Sequence, residues 1–377
     1  MTTFNRAEAR IDLDRITANV AHLKNIAGVD LMAVVKADAY GHGLLPVARA
    51  ALAGGATSLG VALLEEAIAL RDAGITAPIL AWLLPPGSDY KSAIERNIDV
   101  AAPSLVALKE ISAAVSDRPA RVHLEVDSGM TRGGFLSEWD LLDSSHLVGI
   151  EIVGIFSHFA RADEPGEKQN LEQRDRFIDM TKKLNSLGVT DALHHLSNSA
   201  ATLKDPDSRF DMVRTGIAMY GLTPDVKTLG TSVSLDLKAA MSLHAKLHLV
   251  KDVPAHSPVG YGATAITDRY TKLGIVAMGY ADGIPRIAQG AGIFVHGRRA
   301  PIIGRVSMDQ FVVDLGPDSA AISGDWVEIF GDGIAGGYTA EDWGSASGSI
   351  NYEIVTRIGP RVPRIYRSQS LATEVGE

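Results

Sequence analysis

Basic and hydroxyl side chains follow several apolar stretches of this chain, and their types suggest one kind of chemistry. Lys36 ends the run LMAVVK, Arg132 lies in DSGMTRGG, Ser199 in HLSNSAA, and Arg214 and Gly216 in MVRTGI. A lysine amine can form a Schiff base with an aldehyde, and a hydroxyl beside a glycine-flanked backbone can bind a phosphate. An arginine can face a pyridine nitrogen. Together these groups meet the requirements of an enzyme that uses pyridoxal phosphate.

The elements that must position these groups alternate between two hydrophobic periods. Strand-like stretches lie at 31–36, 58–63, 78–84, 98–102, 121–126, 151–157, 192–197 and 211–217. Helical patterns lie between most of them, and the clearest spans 166–187, with Phe177 and Leu184 on one face and Gly188 after it. This alternation predicts an α/β fold, an N-terminal (β/α)8 TIM-type barrel. A doubly wound sheet uses the same elements, but it usually has fewer strands and a GxGxxG loop, which does not follow the first strand here.

A barrel places the candidate residues together, because active sites of this fold lie at the carboxyl ends of the strands. Lys36 ends the first predicted strand, Arg132 follows the fifth and His158 the sixth. Ser199 follows the seventh and Arg214 lies on the eighth, where loops of this fold often bind phosphate. We therefore expect one site at this end of the barrel.

The pattern changes after the loop-like segment 223–232. Residues 243–249 (LHAKLHL) alternate strictly, which is typical of a half-exposed antiparallel strand, and we expect Leu243, Ala245, Leu247 and Leu249 to share the buried face. Short strands are predicted at 274–280, 293–296, 301–306, 310–315 and 326–330. We expect a pyridoxal phosphate-binding barrel at 9–235 and a mostly β domain at 236–377, with residues 1–8 packed against the latter.

Composition excludes several classes of function. The chain has 377 residues, 46% of them hydrophobic, a formal charge of −9 and no cysteine. The negative charge disfavours nucleic-acid and anionic-membrane partners, and the missing cysteines exclude disulfides and thiolate sites. No set of three metal ligands is predicted around His42, His194, His244 or His248. The start of the chain has no signal-peptide pattern and no run is long enough to span a membrane, so we expect a cytoplasmic protein.

Nine motifs give the chain a resemblance to the alanine racemases, from about residue 7 to 367. They are AVVKADAYGHG, DSGMTRGGF, FSHFARAD, SNSAA, VRTGIAMYGL, GYGAT, MGYADGIPR, GRVSMDQ and RVPRIYR. Single motifs such as GYGAT are weak, but nine in the family's order across two domains are a strong signal. The resemblance implies a fold-type III pyridoxal 5'-phosphate enzyme that interconverts L-alanine and D-alanine and supplies D-alanine for peptidoglycan.

The resemblance also implies roles for single residues of the cofactor site. Lys36 resembles the Schiff-base lysine, and Arg214 resembles the residue on the pyridine nitrogen, with His195 as its support. Further cofactor-binding positions are matched by Tyr40, His158, Asn198, Ser199, Gly216, Ile217 and Tyr352.

A second set of positions concerns the substrate. Arg132 resembles the residue that contacts the substrate carboxylate and the cofactor's phenolic oxygen. Met308 resembles the residue whose backbone N–H meets that carboxylate, with Asp309 beside it, and Tyr280 and Tyr352 resemble the pair that narrows the entrance.

Racemisation requires a proton to leave one face of Cα and return on the other, so two bases on opposite faces are needed. Lys36 would serve one face. By resemblance Tyr261, contributed by the partner subunit, serves the other, which implies a homodimer with shared sites. Cationic neighbours favour a phenolate, and Arg132 and His158 are the candidates. An arginine at the pyridine nitrogen cannot give up its proton, which favours racemisation over side reactions.

Glu125 departs from the family pattern, because several alanine racemases carry a carbamylated lysine at this position. We expect the Glu125 carboxylate to orient Arg132 through a charge-assisted hydrogen bond. Three other functions stay open: a racemase of broader specificity for small amino acids, a related-fold amino-acid decarboxylase, and a non-catalytic pyridoxal phosphate carrier. The decarboxylases commonly use a C-terminal cysteine, and the carriers resemble the barrel alone.

Overall fold

The computed structural model describes residues 5–368, which divide into two compact units. We call Ile16–Ala39 with Leu44–Leu237 the barrel unit. We call the described residues of Met1–Arg15, Tyr40–Gly43 and Lys238–Glu377 the β unit.

The strands are, in chain order, β1 (Ala7–Asp12), β2 (Asp30–Val34), β3 (Ser58–Val61), β4 (Ile79–Ala81), β5 (Asp99–Ala102), β6 (Ala120–Glu125), β7 (Ile150–Phe156), β8 (Leu193–His195), β9 (Met212–Thr215), β10 (Met241–Val253), β11 (Pro258–Val259), β12 (Ala265–Ile266), β13 (Thr271–Val276), β14 (Gly292–Val295), β15 (Arg298–Pro301), β16 (Phe311–Asp314), β17 (Trp326–Phe330) and β18 (Arg364–Arg367). The helices are α1 (Leu13–Ala27), α2 (Lys36–Gly41), α3 (Leu44–Ala53), α4 (Leu64–Asp72), α5 (Tyr90–Glu95), α6 (Leu105–Ala114), α7 (Lys168–Ser186), α8 (Ser199–Lys204), α9 (Val226–Leu229), α10 (Ala340–Ala346) and α11 (Asn351–Thr356).

The barrel unit contains one parallel sheet of eight strands in the order β8-β7-β6-β5-β4-β3-β2-β9. Backbone hydrogen bonds also join its two ends. Asp211 N–H donates to the carbonyl of His194 at 3.1 Å, and Arg214 N–H donates to that of Ser197 at 2.9 Å. The sheet therefore closes into a barrel, which confirms the (β/α)8 prediction.

The strands of the barrel are apolar runs because both of their faces are covered. Inside the barrel, five buried side chains form a layer, with half-buried Trp82 packed against it: Met32, Leu80, Ala101, Phe156 and Met212. On the outside, α7 is the helix predicted at 166–187, and it buries Phe177 and Leu184. Gly188 follows α7 with a φ of +75°, as expected of a helix stop.

The β unit is a mostly antiparallel sheet in the order β15-β14-β17-β10-β1-β18, to which β13 and β16 add beside β10. Its inner face includes Ala9 and Ile11 of β1 and Leu243 and Leu247 of β10, all buried. Leu249 does not share that face, contrary to our expectation, and it is 43% exposed. The reason is a bulge between Leu247 and Leu249, which shifts the register and turns the later side chains over.

The tail at 368–377, which we expect to be frayed, lies almost entirely outside the described residues. Among residues 5–368, no helix has both the length and the apolar character that crossing a membrane requires.

Candidate active site

Lys36 lies where β2 ends, at the start of a left-handed turn. The next four residues have φ between +52° and +54°: Ala37, Asp38, Ala39 and Tyr40. Gly41 follows with a φ of +77°. Left-handed backbone costs a residue with a Cβ about 1–2 kcal/mol, so four in succession persist only where the surroundings impose them. Element α2 is therefore a strained, left-handed turn that fixes the backbone beside Lys36.

The carboxylate of Glu66 holds this turn from the first turn of α4. It accepts the N–H of Ala37 at 2.6 Å and the N–H groups of Ala62 and Leu63 at 3.1 Å each. Backbone N–H groups bonded to a carboxylate make strong, charge-assisted hydrogen bonds. Glu66 thus ties the end of β2 to the end of β3, and the sequence analysis did not identify it.

The Lys36 amine is half-buried, 5.8 Å from the centre of the Trp82 ring. Burial lowers the pKa of Lys36, positive Arg132 lowers it further, and Glu66 opposes both. Trp82 lies across Gly60, where a Cβ would come within 2.6 Å of the indole. Sequence analysis missed Trp82 because it lies within an apolar stretch and carries no charge.

Arg214 projects from β9 and is buried among hydrogen-bond acceptors of neighbouring strands. Its Nη1 donates to the His195 carbonyl at 2.7 Å and to His195 Nδ1 at 3.2 Å. Its Nη2 donates to the Ser157 carbonyl at 2.7 Å and to His158 Nδ1 at 3.2 Å. Burial lowers the pKa of Arg214 to about 10, so the guanidinium still carries its charge at pH 7.

Arg214 starts a chain of buried hydrogen bonds with only one consistent proton arrangement. A guanidinium only donates, so His195 Nδ1 must accept and His195 Nε2 must carry the proton. His195 Nε2 then donates to His123 Nδ1 at 2.9 Å. The proton of His123 therefore lies on Nε2, which faces Asp99 Oδ2 at 3.6 Å. Arg121 completes the chain with a 2.7 Å bond to Asp99.

This chain supports the predicted placement of His195 behind Arg214 and extends it through three residues that we did not predict. His195 is fully buried, and it stacks on Phe156 with ring centres 5.1 Å apart. Burial holds the pKa of His195 well below its usual value, which keeps the ring neutral. In the sequence, His123 is only one polar residue within a strand, so its inward direction was not visible.

His158 is near the predicted residues, but it is not the cation that we expected. Burial, together with the positive charges of Arg214, Arg132 and Lys36, lowers the pKa of His158 to about 3. Its Nδ1 accepts a hydrogen bond from Arg214, which also requires the neutral ring. The expectation of a cationic His158 is wrong, because burial disfavours the charged ring and the neighbouring charged groups, which are cations, disfavour it further.

Glu125 and Arg132 are also close, but the expected hydrogen bond does not form. Among residues 5–368, Glu125 has neither a hydrogen bond nor an ion pair with Arg132, and the Arg132 side chain is exposed. The carboxylate lies against Gly133, where a Cβ would be 3.2 Å from Oε1. Burial raises the pKa of Glu125, while Arg132 and Arg214 oppose that shift. The interaction between Glu125 and Arg132 is therefore one of opposite charges, without a direct hydrogen bond.

The loops after β8 and β9 meet at the Ser199 hydroxyl. Ser199 Oγ accepts the N–H of Gly216 at 2.9 Å and that of Ala218 at 3.4 Å. Since both oxygen lone pairs are engaged, the hydroxyl proton is left to donate. Ile217, the remaining predicted residue here, is buried in the same turn. Asn198 instead caps α8, with its Oδ1 accepting Ala201 N–H at 3.1 Å.

The predicted residues of the β unit form two groups of their own. The rings of Tyr40 and Tyr352 lie 6.3 Å apart, and burial raises the pKa of Tyr40, which keeps its phenol protonated. The side chains of Tyr261, Tyr280 and Met308 are 70%, 41% and 53% exposed. These three side chains are therefore accessible in the β unit.

The barrel unit brings together donors that fit pyridoxal phosphate. Lys36 has an amine of lowered pKa that could react with the aldehyde, and Arg214 is a buried cation that could face the pyridine nitrogen. Ser199 has a hydroxyl beside Gly216 that could donate to the phosphate. Next to Gly216, the hydroxyl of Thr215 at the end of β9 is buried without a hydrogen-bond partner among residues 5–368, so the end of this strand has a polar group that the described protein atoms leave unsatisfied.

Comparison with known proteins shows which family the chain resembles. Residues 11–224 match the family described as "Alanine racemase, N-terminal domain", and residues 240–366 match "Alanine racemase, C-terminal domain". The chain is 48% identical over 370 residues to the alanine racemase of Thermobifida fusca, covering 96% of this chain and 98% of that protein. It is 47% identical over 371 residues to that of Salinispora tropica, with the same coverage.

A solved structure shows the same similarity in three dimensions. The crystal structure of alanine racemase from D-cycloserine producing Streptomyces lavendulae superposes with a TM-score of 0.94 at 47% sequence identity. The match covers 97% of this chain and 98% of that chain.

Proposed function

Because the chain belongs to the alanine racemase family, we propose that it interconverts L-alanine and D-alanine with pyridoxal 5'-phosphate as its cofactor. The amino-acid racemase class expected from the sequence, an isomerase, is confirmed by the relatives. The observation that carries the proposal is buried Arg214, a donor-only cation held by His195 and Ser157 in the same barrel as Lys36.

We assign Lys36 to hold the cofactor and then to exchange the Cα proton on one face. Bound pyridoxal phosphate withdraws electrons from the amino acid and makes its Cα proton acidic. Lys36 must be neutral to accept that proton, and burial together with Arg132 lowers its pKa in that direction. Glu66 keeps the amine in place through the backbone of Ala37.

Arg214 decides which reaction follows. Its hydrogens are already directed by His195 and His158, and a guanidinium does not transfer its proton at pH 7. A pyridine nitrogen that faces it would stay unprotonated. That arrangement favours prompt return of the proton to Cα over side reactions.

Tyr261 is proposed as the second base, contributed by the partner subunit of a homodimer with shared sites. Support comes from the family motif and from the exposure of its ring. In mixed dimers of Lys36→Ala and Tyr261→Phe protein, one site per dimer would regain both bases, so part of the activity should return. Confirmed heterodimers without any recovery would contradict a shared site.

We propose that Glu125 tunes Arg132 through its charge, without a direct hydrogen bond. The carboxylate is half-buried near both Arg132 and Arg214. Glu125→Gln should weaken substrate binding by about tenfold, since a charged neighbour is lost from a partly buried site. Steady-state kinetics with L-alanine test this, and unchanged activity would remove Glu125 from the site.

Substrate contacts are proposed for Arg132, Met308 and Tyr280, and phosphate contacts for Tyr40 and Tyr352. Tyr280 and Tyr352, the pair proposed to narrow the entrance, favour a substrate with a small side chain, which supports alanine over larger amino acids. A cytoplasmic location stays a prediction from the sequence, and supply of D-alanine for peptidoglycan stays a prediction that the family resemblance implies.

The experiment that tests the function follows both enantiomers by chiral chromatography after the cofactor-loaded protein is mixed with L-alanine, and separately with D-alanine. Because enantiomers have equal free energy, a racemase must approach an equal mixture from either side. An unchanged L-alanine pool despite bound cofactor would contradict the proposal. The same assay with other small amino acids measures specificity.

A further inference from the structure

Asp282 of the β unit is a buried carboxylate to which the proposed reaction assigns no role. It ends the short turn Tyr280–Asp282 and is fully buried. Arg6 donates to it through Nη2 at 2.5 Å and Nη1 at 3.1 Å, and Gly279 donates its N–H at 3.0 Å. A buried charge requires such partners, so these hydrogen bonds fix the position of the turn Tyr280–Asp282.

Arg361 joins this buried carboxylate to a second one on the surface. Its Nε lies 3.3 Å from Asp282 Oδ1, while its Nη2 donates to Asp309 Oδ1 at 2.7 Å. Asp309 follows Met308 directly in the sequence. One guanidinium therefore links the turn that carries Tyr280 to the loop that carries Met308.

The backbone of the two segments is joined at the same place. Tyr280 N–H donates to the Ser307 carbonyl at 3.1 Å, and Ala281 N–H donates to the Met308 carbonyl at 2.9 Å. A Cβ on Gly279 would come within 2.3 Å of that Met308 oxygen, so only glycine allows this approach.

We propose that Asp282 and Arg361 are positioning residues, which fix Tyr280 and Met308 relative to one another and so set the affinity and size selectivity for the amino-acid substrate. The proposal rests on the proposed function, in which Met308 holds the substrate carboxylate and Tyr280 narrows the entrance. Both side chains are exposed, so their positions depend on the backbone beneath them. The Asp282–Arg361–Asp309 link is what stiffens that backbone.

Arg361→Gln is the informative change. Asp282 keeps Arg6 and the Gly279 N–H in this variant, so the buried charge stays paired and the protein should fold. Arg361→Lys keeps the charge, but a single ammonium cannot reach two carboxylates as a guanidinium does. Arg357→Gln is the matched control, because Arg357 is similarly exposed and its ion pair is with Glu353 of α11 at 3.7 Å.

We expect Arg361→Gln to raise the KM for L-alanine about tenfold, with kcat changed less than about threefold. The preference for L-alanine over L-2-aminobutyrate, which has one more methylene, should fall by about threefold or more. In Arg361→Lys the KM should lie between those of Arg361→Gln and the wild type. Arg357→Gln should leave both the KM for L-alanine and the substrate preference unchanged. An unchanged KM and preference in Arg361→Gln, or equal changes in Arg357→Gln, would overturn the proposal.

Hydrogen exchange followed by mass spectrometry gives a readout that needs no activity. In Arg361→Gln, peptides that contain the Tyr280 and Ala281 amides should exchange faster than in the wild type, and Arg357→Gln should not change them. If the wild-type protein leaves alanine unchanged, the proposed function fails, and these exchange rates alone decide whether Arg361 holds the turn. Unchanged exchange rates in Arg361→Gln would refute the role of Arg361 in holding the turn.

Discussion

Gly154 of β7 lies beneath His123, and replacing it by alanine should break the buried chain that supports Arg214. A Cβ at Gly154 would lie 2.1 Å from His123 Nδ1 and 2.5 Å from Cε1. Nδ1 is the atom that accepts the 2.9 Å hydrogen bond from His195. To reach an ordinary contact of 3.4 Å, the ring must move by about 1.3 Å, since 3.4 − 2.1 = 1.3.

Such a shift disrupts the hydrogen bond, because the ring is buried and a movement of about 1.3 Å exceeds what a 2.9 Å hydrogen bond tolerates. Losing a buried hydrogen bond costs about 1–3 kcal/mol, and forcing an extra methyl group into a packed interior costs about as much again. We therefore expect Gly154→Ala to lower the free energy of unfolding by about 2–6 kcal/mol.

Urea unfolding of the wild type, Gly154→Ala, His123→Ala and the double variant forms a double-mutant cycle. In the His123→Ala background the imidazole is gone, so the new methyl group has room and should cost less than about 0.5 kcal/mol. An equal cost in both backgrounds would mean that the strain at Gly154 has another source. If Gly154→Ala did not destabilise the protein with His123 present, the expected clash between the new Cβ and the His123 ring would be refuted.

Two further changes test other parts of the structure. Glu66→Gln should loosen the turn beside Lys36 and lower kcat about tenfold or more, while Glu65→Gln, an exposed neighbour on α4, should have no effect on the kinetics. Burial and the charges of Arg10 and Arg367 lower the pKa of His244 to about 4, below its ordinary value of about 6.5. As the pH falls, the unfolded chain therefore binds a proton at His244 before the folded chain does, so the free energy of unfolding decreases between about pH 6.5 and 4. His244→Gln should reduce the slope of the free energy of unfolding against pH in that range by up to about 1.4 kcal/mol per pH unit, measured in urea titrations. An unchanged slope would contradict the shift.

Much of the barrel was visible in the sequence because its strands are short apolar runs between helical patterns. The end of β2 and the position of Lys36 followed directly from LMAVVK. The left-handed turn after it was not predictable, since Ala37 and Ala39 have no preference for positive φ. The Glu66 carboxylate, which accepts the Ala37 N–H, is a tertiary contact that holds the start of that turn.

The parts of the site that sequence reasoning missed depend on the direction of side chains across the barrel. His123 and Asp99 lie on adjacent strands, and only the closed sheet shows that His123 also reaches His195. The Glu125–Arg132 hydrogen bond was expected from the family resemblance, in which Glu125 matches the position of a carbamylated lysine seven residues before Arg132. Spacing could not reveal that Glu125 is partly buried while Arg132 is exposed.

The order of strands in the β unit has a consequence for synthesis on the ribosome. Strand β1 lies between β10 and β18, with Ala7 paired to Ala245 and Ala9 to Arg364. Its partners are translated more than two hundred residues after it, a delay on the order of tens of seconds at ribosomal elongation rates. During that interval its apolar face, with Ala9 and Ile11, has no sheet to join. A nascent chain is therefore most exposed to aggregation before β10 emerges, and chaperones that bind short apolar segments should favour β1 at that stage.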